Sequence, residues 1–481
     1  MSFRKLVVSL LSSVLFVAIA NASSELPNIG SSSSRSFSLI EEQAVGDDYM
    51  RQIRAFAPIV NDAEINDYIQ HLGFKLVENT RSALDRRFSF FLLADKSINA
   101  FALPGGYIGI HTGLLLETEN ESELASVVSH EIAHVTQRHL ARRIEMQNQM
   151  SIPTLAAFLA AILIAGNSDN SDAGMAAMAG ASGLAQQAII NHTRSNESEA
   201  DRIGIATLYK SGFDPYSAVT FFEKMQQNQR YYGQSFEFLS THPLSRTRIT
   251  DARLRAANYP KRKIDDNLTY QLMKEKVKAL TVKVTAKSVD DYNQLFKSGK
   301  ITSAAERYGY AIFLIRAEEF KKAEAILKKL QAADHNRSSY AIALAELDLE
   351  RKTPKNSINK IKQLLMYSPT NQALVELLAQ LYLKNNQADL ARELLLSNIH
   401  MTQHAPYLLN LLAESQEKSG HFSEAYETAG NYLLAMGDLN GAKAQFEQAL
   451  YSNTADPYSR SRINAQIINI KEVLHQRSLR R

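Results

Sequence analysis

Ser129-His130-Glu131-Ile132-Ala133-His134-Val135-Thr136-Gln137-Arg138 is the stretch on which the rest of the chain turns. Its two histidines stand at i and i+4. On a helix those positions share one face, one turn apart, so both imidazoles can reach a single ion. Zinc binds imidazole nitrogen at about 2.0–2.1 Å and prefers a tetrahedral set of donors. Glu131 lies beside the same face, placed to reach water at the metal without being a ligand. This is the HExxH constellation, in which the glutamate is the general base.

The flanking residues predict a helix. Asn120 and Glu123 read as a capping box, and Glu121 adds negative charge to the first turn. Leu124, Val127, Val128, Ile132 and Val135 recur at threes and fours, an apolar stripe for a core. No Gly or Pro occurs in 121–149, so nothing in the sequence marks an early end to that helix. The histidines fall at the edge of the stripe, where a metal would be partly desolvated.

The chain has 481 residues, enough for two or three domains. Charged residues are 22% and the formal net charge is only +4, so no overall field points to nucleic acid. Cysteine is absent, which excludes disulfides and thiolate metal sites and leaves His, Asp and Glu as ligands. The N-terminus reads as a cleaved signal peptide over 1–22. Arg4 and Lys5 are basic, Leu6 through Ala20 is a short apolar run, and Ala20-Asn21-Ala22 is a small-x-small cleavage site. No cysteine follows the apolar run, which excludes a lipoprotein and points to the periplasm. Residues 23–38, with Ser31 through Ser34, form a flexible lead-in.

From Leu39 to Asn79 the pattern is helical, and Phe88 through Ala94 reads as a strand. Asn99-Ala100-Phe101-Ala102-Leu103-Pro104-Gly105-Gly106-Tyr107-Ile108-Gly109-Ile110 reads as strand, tight turn and strand at a sheet edge, where an extended peptide could add. A plain structural hairpin is the other reading. Residues 152–190 hold two short apolar arms around a polar centre. They form either a helical hairpin buried in the domain or one that touches a membrane surface or gates the site.

A third ligand is expected on a second helix. Ser195-Asn196-Glu197-Ser198-Glu199-Ala200-Asp201-Arg202-Ile203-Gly204 opens one, with Ser195 or Asn196 as its cap. Glu197, Asp201, Gly204 and Leu208 fall on one face, and small Ala200 and Gly204 permit a close helix crossing. Glu197 would complete a His-His-Glu set; alternatively it serves the helix dipole in the first turn. Asp201, one turn on, is placed to accept the free ring N–H of a ligand histidine. Glu199 lies roughly 160° round the helix and is a poor ligand candidate.

HExxH followed by Glu-x-x-Ala-Asp, with the Asn99–Gly113 lead-in, resembles the zinc metallopeptidases that include the CAAX prenyl proteases and the HtpX heat-shock protease. The resemblance covers about residues 39–255. It implies one zinc ion held by His130, His134 and Glu197, with Glu131 as base, and hydrolysis of peptide amides. It implies a zincin-type α+β domain over 39–260. Members with membrane domains carry long apolar spans that this chain replaces with the two short arms, so a soluble or peripheral enzyme is expected.

Thr241-His242-Pro243-Leu244-Ser245-Arg246-Thr247-Arg248 follows, with Pro243 fixing a turn and Ser245 able to start a helix. His242 could stabilise an oxyanion, occupy the open metal position, or be an ordinary loop histidine. Resemblance to periplasmic members of the family implies a catalytic or regulatory His242 with Arg248 as its neighbour. Tyr259-Pro260-Lys261-Arg262-Lys263 reads as a domain boundary, and 261–303 as connecting helices. Lys274, Lys276, Lys278, Lys283 and Lys287 read as a solvated basic face.

The remainder repeats. Ala311, Ala345, Ala379 and Ala413 are spaced by 34, as are Ala323, Ser357, Ala391 and Ala425, and Tyr310, Leu344, Leu378 and Leu412. That is the tetratricopeptide period, with small residues where paired helices cross. Repeats are expected over 304–337, 338–371, 372–405 and 406–439, with a terminal cap beyond, giving a repeat domain over 304–475. Such an α-solenoid presents a concave face to peptides or partner proteins. The fold class expected is mainly α with a small β-sheet. The order of leader, peptidase and repeats resembles a periplasmic branch of the family, which implies unfolded or stalled outer-membrane proteins as substrates and contact with the barrel-assembly machinery through the repeats. A chaperone or scaffold with a latent metal site is the alternative.

Overall fold

A computed structural model describes residues 38–80, 86–146, 183–232, 237–262, 267–403, 405–452 and 456–479. The expected signal peptide, the lead-in up to residue 37 and most of the 152–190 stretch lie outside the described residues.

Ser38 and Glu41 cap each other at the start of α1 (Leu39–Phe56). Asp62 caps α2 (Ala63–Val77), which buries Ile65, Tyr68, Ile69, Leu72 and Leu76 at the spacing of one helix face. Three short strands follow: β1 (Ser89–Leu93), β2 (Ala100–Leu103) and β3 (Tyr107–His111). Their order is β1-β3-β2, with β1 parallel and β2 antiparallel to β3. The expected strand, turn and strand is present, closed by a 3-10 turn at Pro104–Gly106. In that order, among the described residues, β2 has no neighbouring strand on its outer side.

A short helix, α3 (Thr112–Glu117), leads into α4 (Glu121–Thr136), the helix of the two histidines. Asn120 caps it by accepting the Glu123 N–H at 3.0 Å. The Glu123 carboxylate instead accepts the Glu119 N–H, so only half of the expected capping box forms. Leu124, Val127, Val128, Ile132 and Val135 are buried, each contributing roughly 1.5–3 kcal/mol relative to exposure. The helix stops at Thr136, which corrects the reading of an unbroken 121–149 stretch. Arg138 takes a left-handed conformation, φ 52°, and α5 (His139–Met146) starts in a new direction. Next come α6 (Gly183–Lys210), α7 (Ser217–Tyr232), α8 (Glu237–Thr241) and α9 (Arg246–Ala256). Helix α6 packs along α4 and against α9.

Beyond α10 (Leu268–Thr281) and α11 (Ala286–Lys297), antiparallel helix pairs recur. They are α12 (Ala304–Arg316) with α13 (Phe320–Ala333), α14 (Ser338–Glu350) with α15 (Lys355–Tyr367), and α16 (Gln372–Lys384) with α17 (Ala388–Ser397). A single turn, α18 (Ile399–Thr402), precedes α19 (Pro406–Lys418) with α20 (Phe422–Ala435), and α21 (Leu439–Tyr451) with α22 (Pro457–Leu479) closes the series. The first four pairs begin at the expected 34-residue spacing. Both series of small residues are buried at the crossings. The turn inside each of these pairs uses a left-handed residue at the same register: Glu318, Lys352, Asn386 and Gly420.

One hydrophobic cluster runs without a break from Ile65 in α2, through α4 and α10, to Leu347 in α14. The repeats are therefore packed onto the layer that contains α2 and α4. Lys276 on α10 corrects the reading of a solvated basic face. It is 1% exposed, with Nζ 2.9 Å from Asp62, 3.0 Å from Glu64 and 2.9 Å from Glu346.

Candidate metal centre

Helix α4 presents His130 and His134 to the same point, their Nε2 atoms 2.9 Å apart. Helix α6 brings Glu197 opposite. Its Oε2 lies 3.4 Å from His130 Nε2 and its Oε1 3.4 Å from His134 Nε2. The helices can approach this closely because Ala200 is fully buried and Gly204 sits against the His130 backbone, where an added Cβ would lie 3.2 Å from His130 N. His242, at the end of α8, enters from a third direction. Its Nδ1 is 3.1 and 3.2 Å from the two Glu197 oxygens and 3.4 Å from His130 Nε2. Phe238 stacks beneath its ring.

These four side chains offer ligand atoms all within 4.8 Å of one another, and such a group could hold a metal ion. The donor set fits a divalent cation. Imidazole nitrogens and a carboxylate converge on one point from α4, α6 and the end of α8, a set of nitrogen and oxygen donors that a divalent cation accepts. Burial disfavours the charged form of both α4 histidines. Asp201 and Glu197 override it at His130 and raise that ring to about 10. At His134 burial prevails and pushes the ring down to about 3. Nitrogen and oxygen donors without thiolate match zinc as well as other borderline cations.

Behind the ligand atoms stands a buried ionic layer. Asp201 Oδ1 is 3.0 Å from His130 Nδ1, a close contact without hydrogen-bond alignment. Arg248, the second residue past the start of α9, donates from Nε and Nη2 to both Asp201 oxygens at 2.8 Å. Its Nη1 is 2.8 Å from Glu197 Oε2 and donates to the Pro243 carbonyl at 3.0 Å. Burial opposes the Arg248 charge, but Asp201 and Glu197 more than offset it. One guanidinium thus ties the His242 loop to the carboxylates of α6.

Glu131 is 1% exposed, its Oε1 3.4 Å from His242 Nε2. The backbone of Ala102, on the outer strand β2, faces its carboxyl and favours the ionised form. Burial raises its pKa above the usual carboxylate value, the direction that suits proton transfer near neutral pH.

His130, Glu131, His134, Glu197, Asp201, His242 and Arg248 are all brought to this one place. Glu199 faces away from the cluster, toward His139 and Arg142. Sequence reasoning missed His139, whose Nδ1 lies 2.9 Å from His134 Nδ1. On a continuous helix a residue at i+5 stands about 140° from its partner, so periodicity could not have found it. Burial pushes the His139 ring down to about 4, leaving it neutral near pH 7.

A small sheet, a helix carrying HExxH and a second helix carrying a glutamate beside it are the parts of a metallopeptidase. The comparison with known proteins agrees. Residues 63–256 match peptidase family M48. The beta-barrel assembly-enhancing protease of Escherichia coli strain K12 is 34% identical over 452 residues, 91% of this chain and 92% of the relative. That of Yersinia pestis is 33% identical over 478 residues, 95% and 98% of the two chains. The mitochondrial metalloendopeptidase OMA1 of Schizosaccharomyces pombe is 32% identical over 171 residues, 34% of this chain and 45% of the relative. The chain belongs to peptidase family M48, and it is a metallopeptidase.

Proposed function

We propose that this chain is a periplasmic zinc-dependent endopeptidase that acts on unfolded or stalled outer-membrane β-barrel proteins. The observation that carries the enzymatic reading is the convergence of His130, His134 and Glu197 from two helices beside buried Glu131. The envelope role rests on full-length similarity to proteins named for β-barrel assembly. Among the described residues no helix is long and apolar enough to cross a membrane. The proposed division is a leader over 1–22, a peptidase unit over 39–260, connecting helices over 261–303 and tetratricopeptide repeats over 304–475. The repeats are proposed to contact the barrel-assembly machinery.

In this reading His130, His134 and Glu197 hold the zinc ion, and Asp201 and Arg248 orient them from behind. When bound, the ion supplies Lewis acidity and lowers the pKa of water at the site. Glu131 takes the proton of the attacking water and delivers it to the leaving amine. The outer side of β2, whose Ala102 backbone faces Glu131, holds an extended substrate by main-chain hydrogen bonds. A requirement for extended backbone selects unfolded chains. His242 Nδ1 lies among the ligand atoms and is proposed to fill the fourth position at rest, held there by Arg248 through the Pro243 carbonyl.

That closed arrangement also favours a second reading, a chaperone or scaffold whose centre is latent. Metal analysis and proteolysis of an unfolded casein-type substrate separate the two. Glu131→Gln should keep about one zinc per chain and lose activity by roughly 10²–10⁴-fold. His242→Ala should raise the rate by opening the fourth position. Full cellular function in Glu131→Gln would instead make the scaffold role the main one, and an unaltered rate in His242→Ala would remove the loop from the mechanism.

A further inference from the structure

The reading above uses His134 through Nε2 and leaves its other ring nitrogen unaccounted for. That nitrogen meets His139 Nδ1 at 2.9 Å. The far nitrogen of His139, Nε2, is 3.2 Å from Glu199 Oε2, and the same oxygen accepts a hydrogen bond from Arg142 Nη1 at 2.9 Å. The His139 side chain is 4% exposed, enclosed between α4 and α6.

Proton counting along this chain is fixed from its two ends, because the Glu199 carboxylate cannot donate and a neutral His134 that holds a cation through Nε2 carries its ring proton on Nδ1. The Glu199 carboxylate only accepts, so His139 Nε2 carries the ring proton. His139 Nδ1 then presents a lone pair. His134 must donate to it from Nδ1, and its Nε2 is left bare, facing Glu197 and His130. The backbone arranges this deliberately placed contact. The left-handed turn at Arg138 ends α4 and swings His139 back over the last turn. Arg138 is itself anchored by Nε donating to buried Glu42 at 3.1 Å.

We propose that His139, backed by Glu199, is a positioning residue that fixes the tautomer and ring orientation of His134 and so keeps its Nε2 free for a divalent cation. The inference rests on His130, His134 and Glu197 being the ligands. It also assigns a role to Glu199, which helical geometry had set aside as a ligand.

The test uses the full chain, with zinc and cobalt(II) as probes. Zinc affinity is measured by competition with a chromogenic chelator, and the cobalt form is followed by its visible spectrum. His139→Phe fills the space without a nitrogen and should weaken zinc binding about 10–100-fold, with shifted cobalt bands. His139→Asn keeps an acceptor near the Nδ1 position and should restore affinity to within about threefold of the native chain. Glu199→Gln should weaken binding by a few-fold. Native affinity and spectrum in His139→Phe would overturn the proposal, as would equal losses in the Phe and Asn variants, which would mean packing alone. Should His139→Phe fail to fold, Glu199→Gln decides, since native affinity there breaks the relay. A native chain that binds no zinc would instead refute the ligand assignment itself.

Discussion

Lys352 shows how a single backbone angle reports on the repeats. It holds φ 60°, as Glu318 does, at a register where Asn386 and Gly420 also stand. Only glycine adopts this conformation without steric cost, and asparagine tolerates it. Lys352 is exposed, so its side chain contributes little to offset the strain. Lys352→Gly should stabilise the chain by about 0.5–1 kcal/mol, read as a raised denaturant midpoint. A lowered midpoint would mean that the turn is set by something other than the local angle. Arg138 adopts the same conformation for another end. Its side chain is buried against Glu42, and no glycine in the sequence marked the place. That is why the break after Thr136, and with it His139, could not be read from composition or period.

At the level of elements, the site exists because α4 and α6 cross closely. The small residues that permit this, Ala200 and Gly204, were legible because they share a helical face with Glu197. The crossing itself was not, since residues 137–182 separate the two helices in sequence. Gly204 has the His130 backbone against it, 3.2 Å from where a Cβ would stand. Gly204→Val should push α6 outward and carry Glu197 away from the imidazoles. The expected result is a loss of about 1–3 kcal/mol of stability together with weakened zinc binding. Titration calorimetry and thermal unfolding measure the two separately. Unchanged metal affinity would show that the distance between these helices does not control the ligand set.

Across the whole molecule, α2 is the shared partner of the catalytic helix and the repeats. It packs on α4, on α10 and on α16. Lys276 pins this junction by bridging Asp62 and Glu64 at the start of α2 to Glu346 in α14, and the Tyr308 hydroxyl donates to Glu64 at 2.9 Å. Removing this cation leaves three carboxylates crowded together, Asp62 and Glu64 largely buried and Glu346 partly exposed. Lys276→Met should cost about 3–5 kcal/mol, seen as a fall in the unfolding midpoint of the whole chain. A loss under about 1 kcal/mol would mean that the carboxylates are relieved by protonation or solvent. The sequence grouped Lys276 with four other lysines as a solvated basic face. Nothing local distinguishes a lysine that meets acids from distant segments from one that meets water.

Periodicity and residue chemistry by themselves determined the HExxH helix, the glutamate on a second helix, the strand and turn before them, and the 34-residue repeat. These are properties of contiguous residues, written in spacings of two, four and 34. Only the tertiary structure decided that His242 and Arg248 reach the same point as Glu197, that His139 turns back onto His134, and that the repeats share a core with the peptidase. Each depends on where distant segments meet, and that is set by the burial of one continuous apolar surface rather than by any local pattern.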